Sequence, residues 1–267
     1  RDLHYPLRRQ RQMCIRDSFY TESRLILADF INENSSEKEA INILKELIKT
    51  QEKSSEIYEL LGNIYRYHEK FDLAQEAYSE AIYLHQNSEF DNNNLWLLYF
   101  FRGIALEQLK NYEKSKQDLR KSLAMMPDQP QVLNYLGYML IEQKENLEEA
   151  LGMIRKAVKI SPQSGYIIDS LAWGLYQLGR YSEAIEPMER AIELEPEDPI
   201  VNDHLGDVLW KVGRKREAYY QWKKTLLFNP TPELKLEIEK KLDTGLPLSL
   251  IHISEPTRLL SISVAGV

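Results

Sequence analysis

The sequence predicts an all-α protein built from repeated pairs of helices. Three observations support this prediction: a small residue recurs about every 34 residues, apolar residues recur around it at helical spacing, and a proline closes most units. The small residues at the start of each predicted second helix are Ala40, Ala74, Ser115, Ala150, Ala184 and Ala218. Periods of about 20–50 residues are typical of proteins in which each repeat packs only on its neighbours.

We expect six such units followed by one closing helix. The units lie near residues 21–54, 55–88, 96–129, 130–164, 165–198 and 199–232, and the closing helix lies at 232–245. In the first unit, Ser36 followed by Glu39 favours a capped start of the second helix. This unit has no closing proline, so we expect a degenerate or terminal repeat.

The third and fourth units depart from the regular spacing. Residues 89–95 lengthen the link between the second and third units, and their three consecutive asparagines favour a loop, which is either inert or a binding loop or hinge. The fourth unit has one extra residue in its internal turn, near Glu145. Asn146 followed by Glu149 favours a capped start of the next helix.

The fifth unit shows two apolar stripes at helical spacing. These stripes are Ile168, Leu171, Ala172 and Leu175 in the first helix, and Ala184, Met188, Ala191 and Ile192 in the second. Pro187 lies inside the second helix, where it removes a hydrogen bond and should bend the helix. In the closing helix, Leu234, Ile238 and Leu242 share one face, which we expect to cover the exposed end of the sixth unit.

These residues resemble the tetratricopeptide repeat (TPR) family, whose pattern is W-x₂-L-G-x₂-Y, then A-x₃-F, then A and P. The second unit supplies Tyr58, Leu61, Gly62, Tyr65, Ala74, Tyr78 and Ala81, and the sixth supplies Leu205, Gly206, Leu209, Ala218, Trp222 and Pro230. The resemblance covers residues 21–232. It implies a right-handed TPR superhelix, an α-solenoid of about six helix-turn-helix repeats with a C-terminal capping helix. Arg102 stands where the family has Leu, and we interpret it as a side chain that reaches solvent or forms a local ion pair.

Composition and motifs argue against several classes of function. The formal net charge of −7 disfavours nucleic acid as the main partner, and the single cysteine excludes an intrachain disulfide and a cysteine-based metal cage. The sequence contains no nucleotide-binding, metalloprotease or serine-hydrolase motif, so we expect no cofactor, no metal and no catalytic site. The longest apolar run, Leu95–Phe101, is too short to span a membrane.

The resemblance also implies a binding surface, because the first helices of TPR units line a concave groove. The candidate partner-binding residues are Asn134, Tyr138, Asp169, Trp173, Tyr176, Asp203, His204, Asp207 and Trp210. Aromatic rings suit apolar anchors and carboxylates suit Lys or Arg, so the expected partner is a protein or peptide with apolar and basic residues. The alternative is that some of these rings pack between repeats.

The function we expect is that of a non-catalytic scaffold or adaptor that binds a partner in this groove. The alternative is the truncated TPR arm of a larger enzyme, such as a glycosyltransferase. The last three units resemble a bacterial, largely proteobacterial, TPR family whose members are often exported or lipid-anchored envelope proteins. This resemblance favours the cell envelope or periplasm and leaves the cytoplasm open.

Both ends of the chain differ in character from the repeats. Residues 13–18 and 249–263 resemble translated sequencing-adapter read-through, and a natural basic arm and tail are the alternative. We therefore expect residues 1–18 and 249–267 to be non-native and the TPR solenoid to occupy residues 19–248.

Overall fold

The computed structural model describes residues 21–32, 36–50, 54–87 and 94–246. Within these ranges it contains thirteen α-helices and no strand, which confirms the all-α prediction. The helices are α1 (21–32), α2 (Glu37–Thr50), α3 (Ser55–Tyr67), α4 (Phe71–Gln86), α5 (Leu95–Gln108), α6 (Tyr112–Met125), α7 (Pro130–Glu142), α8 (Leu147–Ile160), α9 (Gly165–Gln177), α10 (Tyr181–Leu194), α11 (Pro199–Lys211), α12 (Lys215–Thr225) and α13 (Pro232–Thr244). The two ends that we expect to be non-native, and most of the 89–95 link, lie outside the described residues.

The helices belong to two compact units, divided between Met125 and Met126. In the first compact unit, α3 packs on α4 and α5 packs on α6. Helix α4 also packs on α5 of the next pair. In the second compact unit, the pairs are α7–α8, α9–α10 and α11–α12. Helices α8 and α10 each contact the next pair, and α13 packs on α12. Within each compact unit, consecutive pairs therefore contact one another, as expected for stacked helix-turn-helix repeats.

The small residues lie where the two helices of a pair touch. In the first helices the small residues Ala28, Gly62, Gly103, Gly137, Ala172 and Gly206 are buried, and so is the predicted second-helix set that begins with Ala40. A Cβ atom on Gly137 would lie 2.7 Å from Ile154 Cγ1 and 2.8 Å from the carbonyl oxygen of Ala150. At this position the backbones of α7 and α8 approach too closely to admit a side chain.

We expect Gly137→Ala to lower the free energy of unfolding by about 1–3 kcal/mol, because the added methyl group meets backbone that must shift. Gly152→Ala is the matched control, since a Cβ atom on Gly152 in α8 would have no neighbour within 4 Å. That change should stabilise the protein by about 0.5–1 kcal/mol. Urea denaturation of both variants tests this, and equal effects would contradict close packing at Gly137.

The turns inside the second to sixth repeats each contain a residue with a left-handed backbone. From the second repeat to the sixth these residues are Glu69, Lys110, Lys144, Gly179 and Gly213, with φ of 58°, 59°, 56°, 74° and 89°. The extra residue of the fourth repeat adds a second one, Asn146, at φ 44°. Because its backbone is left-handed, the Asn146 side chain makes no capping hydrogen bond, and the predicted cap there is wrong. The cap at Ser36 is present, since its Oγ accepts from Glu39 N at 3.4 Å.

Two departures from the family pattern are accommodated locally. Arg102 on α5 forms the ion pair that the sequence suggested: Nε and Nη2 donate to the two carboxylate oxygens of Asp118 on α6, at 2.7 and 2.9 Å. Its Nη1 donates to Ser79 Oγ of α4 at 3.1 Å, which ties the second repeat to the third. Helix α10 continues through Pro187 to Leu194.

Candidate partner-binding face

The predicted partner-binding residues all lie on first helices of the second compact unit. Asn134 and Tyr138 are on α7; Asp169, Trp173 and Tyr176 are on α9; Asp203, His204, Asp207 and Trp210 are on α11. Tyr176 and Trp210 are half-buried, whereas the other seven are at most 5% exposed. Most of the predicted face is therefore packed inside the unit.

The junction between α9 and α11 is built around Trp173. Its ring stacks on His204 with centroids 3.7 Å apart and planes 8° apart. The Nδ1 atom of His204 lies 3.0 Å from Oδ1 of Asp169, and the indole Nε1 of Trp173 donates to Glu142 Oε1 of α7 at 3.3 Å. Trp173 thus packs between repeats, which is the alternative that the sequence left open for these rings.

The junction between α11 and α13 is a buried charge cluster. Lys241 of α13 is 3% exposed, and its Nζ donates to both carboxylate oxygens of Asp203 at 2.7 and 2.9 Å. The same ammonium group donates to Asp207 at 3.0 Å, and the indole Nε1 of Trp222 donates to Asp207 Oδ1 at 3.0 Å. Two carboxylates therefore share one lysine in a site closed to solvent.

The cluster shifts the titration of its members. Burial raises the pKa of Asp207 to about 7, and the negative charge of Asp203 adds to this effect, whereas Lys241 and the Trp222 indole oppose it. Burial alone would lower the pKa of Lys241, but the carboxylates of Asp203, Asp207 and Glu237 hold it above its usual value. Lys241 therefore carries its charge throughout the neutral range.

One arrangement recurs along the first helices. In the second compact unit, a carboxylate on each first helix binds a side chain of the next first helix or of the closing helix: Glu142 binds Trp173, Asp169 binds His204, and Asp203 binds Lys241. We call these three pairs the junction ladder. The ladder uses carboxylates Asp169 and Asp203, which the sequence assigned to a partner's basic residues.

The sequence reasoning missed Lys241, although a signal for it exists. Lys241 follows Leu234 and Ile238 at spacings of seven and three residues, so it lies on the apolar stripe of α13. A lysine on a stripe that packs against a neighbour requires a buried counter-ion. The carboxylates of Asp203 and Asp207 supply it.

The half-buried rings of Tyr176 and Trp210 remain partly accessible. Tyr176 stacks on Trp173 at 4.7 Å and meets Tyr181 edge-on at 5.2 Å. Its pKa is raised by burial and further by the nearby negative charge of Asp207. A Cβ atom on Gly245 would collide with the Trp210 ring, so the backbone that follows α13 lies directly against that ring.

The α7 end of the face is more deeply packed. Tyr138 is 4% exposed and Asn134 is 1% exposed. The Oδ1 atom of Asn134 accepts no hydrogen bond from the described residues. Partner binding at these two positions, as at the other seven, stays a prediction.

Within the described ranges, no group of three or more His, Cys, Asp or Glu side chains could hold a metal ion. In those same ranges, no helix combines the length and the apolar character that crossing a bilayer requires.

Comparison with known proteins supports the repeat assignment. Models described as tetratricopeptide repeat match residues 55–87 and 100–165, and a model described as TPR repeat matches residues 175–213. Together the three matches cover just over half of the chain. The TPR repeat-containing protein PA4667 of Pseudomonas aeruginosa is 28% identical over 87 residues, which are 33% of this chain but only 15% of that protein.

Solved structures show the same fold. TTC0263, a thermophilic TPR protein of Thermus thermophilus, matches with a TM-score of 0.59 at 17% identity over 71% of this chain and 99% of that one. A chain of the APC/C hetero-tetramer Cut9–Hcn1 matches with a TM-score of 0.69 at 18% identity over 84% of this chain and 42% of that one. The spacing of small residues, the stacked helix pairs and the three family matches agree. The chain therefore belongs to the tetratricopeptide repeat family.

Proposed function

We propose that the protein is a non-catalytic scaffold that binds a partner protein or peptide along α7, α9 and α11. Membership of the TPR family supports a role in protein–protein interaction. The observation that supports the location is the pair of half-buried rings, Tyr176 and Trp210, which lie on consecutive first helices beside the junction ladder. They are the predicted partner-binding residues that a partner reaches without opening the repeat junctions.

These two rings are suited to bind apolar side chains of the partner. Tyr176 is held in place by stacking on Trp173, and Trp210 by contact with Trp222 at a centroid distance of 5.3 Å. Rings that are fixed before binding lose little conformational entropy when the partner arrives. Aromatic anchors of this kind commonly contribute about 2 kcal/mol or more to binding when they become fully buried.

The charge beside the rings favours a partner with basic residues. Asp203 and Asp207 share the single positive charge of Lys241, so the cluster carries excess negative charge when both carboxylates are ionised. Because these carboxylates already bind Lys241, they attract a partner through their field rather than by direct contact. Such an attraction mainly affects the association rate and its dependence on salt.

The test begins with capture of a partner from a bacterial envelope extract on the immobilised protein, followed by titration of the purified partner. We expect Tyr176→Ala to weaken binding about tenfold or more, because it removes an anchoring ring. Tyr176→Phe keeps the ring and should bind nearly as well as the parent. Tyr67→Ala, a change at a 71% exposed tyrosine of α3, is the control at an unrelated surface.

All variants are first checked by circular dichroism for retained helix content. If folded Tyr176→Ala binds the partner as tightly as the parent does, the ring is only a packing element and the proposed surface is wrong. If Tyr67→Ala weakens binding as much as Tyr176→Ala does, the partner binds elsewhere.

A further inference from the structure

A groove of about 730 Å³ lies on the first compact unit, lined by residues of α3 and α4. Leu61 and Tyr65 of α3, which are 6% and 7% exposed, line it together with Ala77 of α4. Leu73 and Tyr83 of α4 also line it and are 37% and 62% exposed. The groove thus combines a buried apolar lining with accessible apolar side chains.

The accessible side of the groove is acidic. Glu76 and Glu80 line it from α4, both are exposed, and neither pairs with a cation in the described ranges. They alternate with Leu73 and Tyr83 at spacings of three and four residues, which places all four side chains on one face of the helix. A ligand of this face needs apolar groups flanked by positive charge.

A surface with those properties lies on α12 of the second compact unit. Tyr220 is 66% exposed, and Leu227, in the turn that follows the helix, is 76% exposed. Lys223 lies between them in the sequence, and Arg216 lies four residues before Tyr220. Both cations are exposed and share one face of α12 with Tyr220. Although the whole chain has a net charge of −7, α12 carries four cations and a single carboxylate, which are Lys215, Arg216, Lys223, Lys224 and Glu217.

We propose that the α12 face of one copy docks into the α3–α4 groove of a second copy. The charges are complementary, since Arg216 and Lys223 meet Glu76 and Glu80. The apolar side chains also correspond, since Tyr220 and Leu227 are exposed on α12 and the turn that follows it, and Leu73 and Tyr83 are exposed in the groove.

This contact is heterologous, because it joins two different surfaces, so in a pair one copy keeps a free groove and the other keeps a free α12 face. Further copies can add to these surfaces, and the association continues to closed rings or longer chains rather than stopping at the open pair. The interface is small and rich in exposed charges, so it is weak and sensitive to salt. It leaves the first-helix face around Tyr176 uncovered and is independent of the proposed partner binding.

The experiment is sedimentation velocity of the full chain over a range of about 5 to 200 µM, at low and at high ionic strength. We expect the mean mass to rise with concentration at low salt and to fall to that of the monomer at high salt. Glu76→Lys with Glu80→Lys, and separately Arg216→Glu with Lys223→Glu, should each remain monomeric, because like charges then face each other.

A mixture of the two double variants is the decisive sample. In the mixture the unaltered α12 face of the groove variant meets the unaltered groove of the α12 variant, and the two reversed surfaces also match each other. Association should therefore return in the mixture although each variant alone is monomeric. Glu186→Lys with Glu197→Lys changes net charge as much as the groove variant does, at exposed positions of the second unit, and should associate like the parent.

Circular dichroism establishes that each variant is folded. A parent chain that stays monomeric over the whole range overturns the proposal. So does association that persists in either reversed variant, or a mixture of the reversed variants that remains monomeric. Loss of association in the Glu186 and Glu197 control also overturns it, since general charge attraction then explains the result.

Discussion

Replacing Lys241 with Met is expected to lower the free energy of unfolding by about 3–5 kcal/mol, because it leaves Asp203 and Asp207 buried without their counter-ion. The measurement is urea denaturation followed by circular dichroism. Lys240→Met is the matched control: Lys240 is the preceding residue of α13 and is exposed, so its loss should change stability by less than about 0.5 kcal/mol.

The stability deficit of the Lys241→Met variant, which is its loss of unfolding free energy relative to the parent, should also depend on pH. The pKa of Asp207 is already raised to about 7 in the parent, and loss of Lys241 removes a charge that lowers it. A group whose pKa is raised by folding contributes stability that is lost as the pH rises through the raised value. The deficit should therefore be smallest in mild acid and grow as the pH rises through about 7. A deficit that shrinks over that range would contradict the buried cluster.

Trp173→Ala is expected to lower the free energy of unfolding by a similar amount, about 3–5 kcal/mol. The ring is 2% exposed and lies between Tyr176 and His204, so its removal leaves a cavity at the junction of α9 and α11. Urea denaturation measures the loss. Tyr220→Ala, at a 66% exposed ring, should change stability by less than about 0.5 kcal/mol.

If Trp173→Ala proves as stable as the parent, the ring is not a packing element of the junction and belongs instead to an open binding surface. If Trp173→Ala loses much of its stability, weaker partner binding by this variant would reflect damaged folding rather than a lost contact with the partner. Tyr176, which is half-buried, is for that reason the residue on which the proposed binding face is tested.

The helix pairs were predictable from the sequence because their determinants are local and repeated. A small residue such as Ala184 marks where two helices touch, and in each repeat the apolar stripe around it keeps the helical period. Stacking of neighbours follows, since one pair cannot bury both stripes alone. The same reasoning failed at Asn146, because one inserted residue changed the backbone conformation of the turn and removed the predicted cap.

The partners of the polar side chains were not predictable from spacing alone. Helical position places Asp169 and Asp203 on the inner face of their helices, but it does not reveal which side chain of the next repeat lies opposite. His204 and Lys241 occupy those places, at sequence separations of 35 and 38 residues. Burial of the carboxylates depends on this long-range packing. The sequence therefore places these carboxylates on their helices but does not identify their partners within the chain.

A double-mutant cycle on Asp203 and Lys241 tests most directly whether the carboxylates of this face hold the repeats together. It compares the unfolding free energies of the parent, Asp203→Asn, Lys241→Met and the double variant. We predict a coupling energy of at least about 1.5 kcal/mol, because the two groups are 2.7 Å apart and closed to solvent. If the changes in unfolding free energy of the two single variants add within about 0.5 kcal/mol, the result contradicts the Asp203–Lys241 pair of the junction ladder. Asp203 would then again be a candidate for contact with a partner.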